Sequence, residues 1–433
     1  MHDEPKHPLA ELRQGQVWGL AHRLIEDLAG KTRVLLLSEQ RDLVAAACLA
    51  ALAGDFELVL PHGLSRAALD QLPEEMPCDC GLLGDEEASL DLPLLRLETR
   101  KAKEAASPPL IEDDGRLAVT LFTGGSTARP RAWPKSAQLL LGEARFLAEH
   151  FGIGATDYLV SCVGPMHIYG LLFGVLVPLL SGAKVEPKTA FLPAEIQKAC
   201  PPGTMLVAAP PHFRALVRGQ TRLAGLRLAI SSAGMLPKED SEGFTALTKT
   251  PLCELYGSTE TGGLATRWRN RKERDWTPLP IADLKLEGER LAADSPFLSP
   301  TLARNAAGFF VTGDRARWTE GGRFALLGRA DGVVKVGGKR VDLTELERVL
   351  LAIPGIDDCW VLSGPSKDAH ENQIVAVLCG ADPPGRDQIR KILGHRFEAV
   401  ALPRRFLYIK HMPVSTAGKR DRQAIEDLLR EQA

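Results

Sequence analysis

Small and hydroxyl-bearing residues cluster directly after an apolar run, and this combination can hold a phosphate group. The run Arg116–Phe122 is typical of a β-strand. The stretch Leu121–Arg131, which contains the small and hydroxyl-bearing residues, is predicted to be the loop that follows this strand. Adjacent glycines let backbone N–H groups close on an anion, while hydroxyl and guanidinium groups add donors. The candidate phosphate ligands are Thr123, Gly124, Gly125, Ser126, Thr127 and Arg131. Taken alone, such a cluster is more typical of a plain turn than of a phosphate-binding loop.

Four further polar motifs follow in order along the chain. Tyr256–Glu260 offers an aromatic ring that can face a purine, a hydroxyl group, and a carboxylate suited to Mg²⁺. Thr312–Asp314 ends in a carboxylate that can accept hydrogen bonds from both hydroxyls of a ribose. Gly328–Gly338 is rich in glycine, and Pro413–Lys419 ends in a lysine, which is a point charge on a flexible stem. Each motif alone also fits a helix cap, a turn or a solvated tail.

The order of these five motifs resembles that of the AMP-forming adenylating superfamily, which contains acyl-CoA and aryl-CoA synthetases, luciferases and the adenylation domains of peptide synthetases. Members activate a carboxylate with ATP as an acyl-adenylate, and most then pass the acyl group to a thiol. The resemblance implies a ligase that uses ATP and Mg²⁺, with a carboxylic acid and either coenzyme A or a phosphopantetheinyl acyl carrier protein as partners. The alternative is a degenerate homologue that binds nucleotide or carrier protein without turnover.

The same resemblance implies roles for single residues of this chain. Lys419 is expected to bridge the substrate carboxylate and the α-phosphate, where it stabilises charge in the transition state. Thr259 is expected to contact the α-phosphate, and Glu260 to hold Mg²⁺ while pyrophosphate leaves. The other residues implied in the ATP site are Gly234, Tyr256, Gly257, Ser258, Asp314, which clamps the ribose, and Arg329.

Three more positions receive a role from the resemblance. His167 lies at a predicted strand-to-helix junction and is expected to border the acyl pocket. Its neighbours Met166 and Ile168 bring no carboxylate to hold an α-amine, so a fatty or aromatic acid is expected rather than an amino acid. Asp331, flanked by glycine, is expected to be the hinge of a mobile domain. Gly338 is expected to leave a channel through which the thiol arm passes close to the backbone.

The phosphate loop departs from the family pattern. Gly124, Ala128, Arg131 and Ala132 stand where the pattern has Ser, Gly, Lys and Gly. Arg131 keeps the positive charge, and Lys135 lies near enough in sequence to be a possible substitute for the lysine. Alanine reaches some glycine conformations only at a cost in energy, so a weaker grip on pyrophosphate than usual is predicted.

Strand and helix patterns alternate in the part of the chain that must position these motifs. Apolar runs such as Arg33–Leu37 and Glu57–Leu60 are separated by helix-like stretches, which predicts α/β architecture with parallel sheets. We expect a large N-terminal domain of parallel α/β sheets plus a small β-rich subdomain, and then a small mobile α+β C-terminal domain. The predicted domains are 1–328, which binds ATP and the acid, and 329–433, which carries Lys419. By comparison with the family, the N-terminal subdomain is expected to be shortened.

Composition limits the classes of function. The 433 residues carry a net charge of −2, so neither nucleic acid nor an anionic membrane surface is expected as a general partner. The most apolar run, Tyr169–Leu180, falls well short of the ~20 residues that span a bilayer and is predicted to be a buried helix. The eight scattered cysteines and the charged N-terminus predict reduced thiols and a cytoplasmic protein.

Overall fold

A computed structural model of the chain describes residues 14–64, 66–70, 72–73, 76–87, 90–112, 114–123, 130–223, 225–336, 339–365, 372–397, 399, 402–414 and 420–431. Its contacts define two compact units. Among these described residues, unit 1 comprises those within 14–283 and 294–304, and unit 2 comprises those within 284–293, 305–414 and 420–431. The boundary predicted between residues 328 and 329 was placed at a hinge. A grouping of residues by their contacts does not test a hinge, so this boundary stays a prediction.

The first sheet of unit 1 has six strands in the spatial order β4-β3-β1-β2-β5-β6. They are β1 (Arg33–Leu36), β2 (Glu57–Leu60), β3 (Cys80–Leu83), β4 (Leu94–Arg96), β5 (Leu117–Thr123) and β6 (Arg131–Ser136). All pairs are parallel except β5 with β6, which is antiparallel. The first three strands are buried almost throughout, which agrees with the continuous apolar runs read from the sequence.

The second sheet of unit 1 has seven strands in the order β13-β12-β11-β10-β9-β7-β8. They are β7 (Tyr158–Ser161), β8 (Lys184–Val185), β9 (Met205–Ala208), β10 (Leu228–Ser231), β11 (Leu252–Ser258), β12 (Gly262–Trp268) and β13 (Thr277–Pro278). The strands from β8 to β11 are parallel, whereas β12 and β13 continue the sheet antiparallel. Both sheets therefore end in an antiparallel strand after a parallel core.

Nine helices connect the described strands of unit 1 or cover them. They are α1 (Gln14–Asp27), α2 (Arg41–Ala53), α3 (Arg66–Leu69), α4 (Glu143–Phe151), α5 (Ile168–Leu171), α6 (Val177–Ser181), α7 (Pro193–Ala199), α8 (Pro210–Arg218) and α9 (Lys238–Thr248). The predicted α/β architecture is confirmed. The apolar run predicted to be a buried helix is helical and mostly buried, with a π-helical segment at Leu172–Leu176 between α5 and α6. Among the described residues, no helix is long and apolar enough to cross a bilayer.

The described residues of unit 2 form three small sheets and three helices. The strands are β14 (Asp283–Glu287), β15 (Arg290–Asp294), β16 (Phe310–Trp318), β17 (Phe324–Arg329), β18 (Val333–Val336), β19 (Lys339–Asp342), β20 (Asp358–Pro365), β21 (Asn372–Cys379) and β22 (Arg405–Ile409). The helices are α10 (Leu343–Leu351), α11 (Arg386–Gly394) and α12 (Arg422–Glu431). Contacts thus group the small β-rich sheet β14–β17 with the C-terminal α+β part of the chain.

Candidate functional site

The turn between β11 and β12, here called the Ser258–Gly262 turn, carries two of the predicted catalytic residues. Thr259 is buried and Glu260 is half-buried. The backbone N–H of Ser258 donates to Thr261 Oγ1 at 3.0 Å, and the backbone N–H of Ser299 donates to Glu260 O at 2.7 Å. The backbone of the turn is therefore fixed by hydrogen bonds that do not involve the carboxylate of Glu260.

Gly257 is required by the hairpin itself. A Cβ atom at this position would lie 2.3 Å from the backbone oxygen of Gly262, on the antiparallel partner strand. The strand register also shifts between Tyr256 and Gly257, as in a β-bulge. The glycine at this position thus has a clear cause in backbone packing, and its predicted place in the ATP site remains a prediction.

Tyr256, predicted to face the purine, is supported by residues that sequence analysis did not select. The Trp276 ring lies 5.6 Å from the Tyr256 ring, centroid to centroid, at an angle of 54°. The guanidinium of Arg267 lies 4.3 Å from the centroid of Trp276. Both Arg267 and Arg269 form ion pairs with the buried carboxylate of Glu254. Burial lowers the pKa of Arg267, and the charge of Glu254 opposes that change.

The segment after β10 contains the predicted Gly234. Ser232 Oγ donates to the backbone oxygen of Leu255 at 2.8 Å, which ties this segment to β11. The left-handed backbone conformation belongs to Ala233, with φ of +68°, rather than to the glycine. Non-glycine residues adopt this conformation rarely, and it is found where the surrounding structure enforces it. Gly234 and Met235 are both exposed at this carboxyl end of a parallel strand, where ligands bind in such sheets.

His167 follows β7 and caps the helix that comes next. Its Nδ1 accepts a hydrogen bond from the backbone N–H of Tyr169 at 3.2 Å. The hydroxyl of Tyr169 in turn donates to the backbone oxygen of Ile230 at 2.9 Å, at the end of β10. The predicted strand-to-helix junction is confirmed, and the histidine has a structural role in it. A role at an acyl pocket stays a prediction.

The phosphate loop connects the two antiparallel strands β5 and β6. Thr123 and Arg131 are paired across these strands, and Trp133 Nε1 donates to Thr123 Oγ1 at 3.0 Å. Arg131 is exposed. The predicted ligands Gly124, Gly125, Ser126 and Thr127 lie outside the described residues. The structure thus establishes the two ends of the loop, at the carboxyl end of β5.

Lys135 does not replace the lysine of the phosphate loop. It lies four residues beyond Arg131 on β6, which is about 13 Å along an extended strand. Its side chain is completely buried, and its Nζ donates to the backbone oxygen of Phe297 at 3.2 Å. Burial lowers the pKa of Lys135, and the charges of Glu143 and Glu260 oppose that change. This lysine therefore lies in the interior of unit 1, where it contacts the segment that contains Phe297.

In unit 2, Asp314 and Arg329 face each other across neighbouring strands. They are register partners on β16 and β17, and Arg329 Nη1 lies 3.9 Å from Asp314 Oδ1. The backbone N–H of Asp314 donates to Thr312 Oγ1 at 3.1 Å. The side chain of Arg329 is 58% exposed, against 23% for Asp314. A carboxylate and a guanidinium are thus presented together by strand register.

Three predicted positions remain, of which one lies within the described residues and two lie outside them. Asp331 falls in the single helical turn Ala330–Gly332, which directly follows β17. Gly338 and Lys419 lie outside the described residues. Next to the lysine, Arg420 forms ion pairs with Glu347 at 3.2 Å and with Asp358 at 3.0 Å.

No group of three or more His, Cys, Asp or Glu side chains that could hold a metal occurs among the described residues. Mg²⁺, however, is commonly held by one or two carboxylates together with substrate phosphates. The single carboxylate of Glu260 would be sufficient for an arrangement of this kind.

Comparison with known proteins gives a consistent result. A family model described as AMP-binding enzyme matches residues 16–291. A 4-coumarate–CoA ligase from Cereibacter sphaeroides is 28% identical over 304 residues, which cover 69% of each chain. Bacitracin synthase 3 from Bacillus licheniformis is 25% identical over 386 residues, covering 79% of this chain and 6% of that protein. The ATP-bound MatB structure from Rhodopseudomonas palustris superposes with a TM-score of 0.80 at 19% identity, covering 97% of this chain and 93% of that one.

Proposed function

The chain belongs to the AMP-binding enzyme family, and from that premise we propose that it activates a carboxylic acid with ATP and transfers the acyl group to a thiol. In the first half-reaction a carboxylate oxygen attacks the α-phosphorus of ATP, so that an acyl-adenylate forms and pyrophosphate leaves. In the second, a thiol sulfur attacks the acyl carbonyl, so that a thioester forms and AMP leaves. The protein is thus an AMP-forming acid–thiol ligase.

The observation that carries this proposal is the Ser258–Gly262 turn. It lies at the carboxyl end of β11, the position at which parallel sheets bind ligands. Its backbone is fixed while Glu260 remains accessible. In this role Glu260 would hold Mg²⁺, which would supply positive charge next to the phosphate groups of ATP. The hydroxyl of Thr259 donates to an oxygen of the α-phosphate.

The other predicted residues bind different parts of the substrates. Tyr256 faces the adenine, Asp314 accepts hydrogen bonds from the ribose hydroxyls, and Arg329 adds a donor. The loop from Thr123 to Arg131 contacts the departing pyrophosphate. Lys419 bridges the carboxylate and the α-phosphate, which lowers the energy of the charged transition state.

The acid is fatty or aromatic, and the acceptor is a phosphopantetheine thiol, the group that coenzyme A and carrier proteins share. The absence of a carboxylate beside His167 supports an acid without an α-amine. The similarity to a 4-coumarate–CoA ligase supports the aromatic member of this pair. In the second half-reaction Asp331 serves as the hinge of the domain 329–433, and Gly338 leaves room for the pantetheine arm.

ATP–pyrophosphate exchange, measured across a panel of fatty, aromatic and amino acids, tests the first half-reaction. Exchange is expected with at least one fatty or aromatic acid and is expected to stop in Lys419→Ala. Gly338→Leu is expected to retain exchange while thioester formation with coenzyme A or a carrier protein stops. An inert nucleotide-binding homologue would show no exchange with any acid. If both variants leave the complete reaction intact, the assignment of the two half-reactions is wrong.

A further inference from the structure

Two oppositely charged side chains are buried in unit 1 and have no role in the reaction described above. Lys135, on β6, is completely buried, and Glu143, at the start of α4, is 2% exposed. Removing an ion from water costs several kcal/mol even after the protein relaxes, and an apolar pair of similar volume is often at least as stable. The burial of both charges therefore calls for an explanation other than stability.

Both side chains hold backbone next to the Ser258–Gly262 turn. Glu143 Oε1 accepts a hydrogen bond from the backbone N–H of Gly263 at 2.8 Å, directly after the turn. Lys135 Nζ donates to the backbone oxygen of Phe297 at 3.2 Å. Two residues further on, Ser299 donates from its backbone N–H to Glu260 O at 2.7 Å. One charge thus holds the strand that leaves the turn, and the other holds the segment that contacts the turn directly.

The residues around Gly262, the last residue of the turn, leave no space for a side chain there. Gly262 has a φ of +67°, and a Cβ atom there would lie 3.0 Å from Glu143 Oε1 and 2.7 Å from Phe297 Cβ. A larger residue would therefore have to displace the carboxylate or the phenylalanine. The position of Glu260 consequently depends on Glu143 and on the 297–299 segment.

The charges of this cluster depend on one another. Glu143 and Glu260 both act to keep Lys135 protonated against the effect of burial on its pKa. Lys135 in turn acts to keep Glu143 ionised against the effect of burial on the pKa of that carboxyl. The second oxygen of Glu143, Oε2, has no hydrogen-bond partner among the residues that the structure describes. Its negative charge is therefore balanced chiefly through Lys135.

We propose that Lys135 and Glu143 are positioning residues, two buried side chains of opposite charge whose hydrogen bonds hold the Ser258–Gly262 turn in the arrangement in which Glu260 receives the magnesium–nucleotide. This inference rests on the proposed function, because it concerns the residue assigned to the metal. Neither side chain contacts the substrate. Both act through the backbone atoms that they hold and through the electrostatic field around Glu260.

The test compares wild type with Lys135→Met, Glu143→Gln and the double variant. Glu143→Gln keeps an oxygen that can accept from Gly263 and removes only the charge. Each single variant removes one of two buried charges that offset each other, so the thermal midpoint should fall. We also expect a 10- to 100-fold increase in the Mg²⁺ concentration that half-saturates pyrophosphate exchange, as with the residues that support metal ligands elsewhere. The KM for the acid should not change.

The double variant separates positioning from stability. It contains no unpaired charge, so its thermal midpoint should return towards that of wild type. Its half-saturating Mg²⁺ concentration should remain raised, because the hydrogen bond from Lys135 to Phe297 and both buried charges are still missing. If the Mg²⁺ requirement returns to that of wild type together with stability, the pair is only structural and the proposal is overturned.

Glu57→Gln is the matched control. Glu57 forms an ion pair with Arg33 at 2.7 Å at the amino ends of β1 and β2, the edge of the sheet opposite to the ligands. It should lower stability without changing the Mg²⁺ requirement. Calorimetric titration of each protein with ATP at increasing Mg²⁺ concentrations provides a second readout that does not need turnover. If wild type exchanges with no acid, the proposed function fails. Equal Mg²⁺ dependence of ATP binding in wild type, the two single variants and the double variant would refute the positioning role by itself.

Discussion

The Ser258–Gly262 turn in unit 1 and the Asp314–Arg329 pair in unit 2 place functional groups by different means. The turn is held by residues far away in sequence, since Glu143 and Gly263 are 120 positions apart and Lys135 and Phe297 are 162 apart. Asp314 and Arg329 are instead brought together by the register of two neighbouring strands. The difference shows which region depends on the whole tertiary structure and which depends on a local hairpin.

This contrast predicts different consequences of substitution. Changes in the turn, or in the side chains that support it, should alter catalysis through the geometry of several groups at once. Changes in the Asp314–Arg329 pair should affect nucleotide binding through one contact at a time. The following substitutions test this contrast, in decreasing order of the change that we predict.

Glu260→Gln should lower the rate of pyrophosphate exchange about 100- to 1,000-fold. A neutral amide is a poorer ligand for Mg²⁺, and charge stabilisation by a metal ion is worth several kcal/mol. The rate at saturating ATP, measured over a range of Mg²⁺ concentrations, checks this expectation. Glu242→Gln, on the exposed face of α9, is the control and should be neutral. A loss of less than 3-fold in Glu260→Gln would remove this residue from the metal site.

Asp314→Ala should raise the KM for ATP about 10- to 100-fold, because hydrogen bonds to a charged group are each worth ~1.5–3 kcal/mol. The same substitution should abolish the preference for ATP over 2′-deoxy-ATP, since the carboxylate would no longer be there to accept from the hydroxyl. Exchange assays with both nucleotides measure the two effects. If the variant still prefers ATP as strongly as wild type does, Asp314 does not bind the ribose.

Trp276→Leu should raise the KM for ATP about 3- to 10-fold and leave the KM for the acid unchanged. The contact between the Trp276 and Tyr256 rings is of a kind worth ~0.5–1.5 kcal/mol, and its loss frees the Tyr256 ring from one support. Trp276→Phe keeps an aromatic ring in place and should retain most of the affinity. Equal loss in both variants would mean that the ring contact does not position Tyr256.

Arg329→Gln should have the smallest effect, a rise of about 2- to 5-fold in the KM for ATP. The side chain is 58% exposed, and exposed ion pairs contribute ~0–1 kcal/mol. Because salt screens exposed charges, the difference from wild type should shrink as ionic strength increases. An effect larger than that of Asp314→Ala would reverse the expected order within unit 2.

Much of the fold could be predicted from local patterns. The apolar runs predicted β1 and β2 to within one residue, and the alternation with helices predicted parallel sheets. The two antiparallel continuations were not predicted. β6 contains Arg131, Pro134 and Lys135, and β12 begins with two glycines, so neither shows the apolar or alternating pattern of a typical strand.

The candidate site was predicted unevenly for a related reason. Thr259, Glu260 and Asp314 occur in short motifs with recognisable chemistry, whereas Glu143, Lys135 and Trp276 lie in stretches without any motif. Each of these three acts through a contact made only on folding. In particular, Lys135 has the residue type of a phosphate ligand, and only its burial shows that it lies in the interior.

The family, the order of the motifs and the chemistry of their side chains follow from the amino-acid sequence, because they depend on residue type and on spacing along the chain. Which residues support the motifs follows only from the folded structure. Positions more than a hundred residues apart meet only when sheets and helices pack, and no local pattern in the sequence records that meeting.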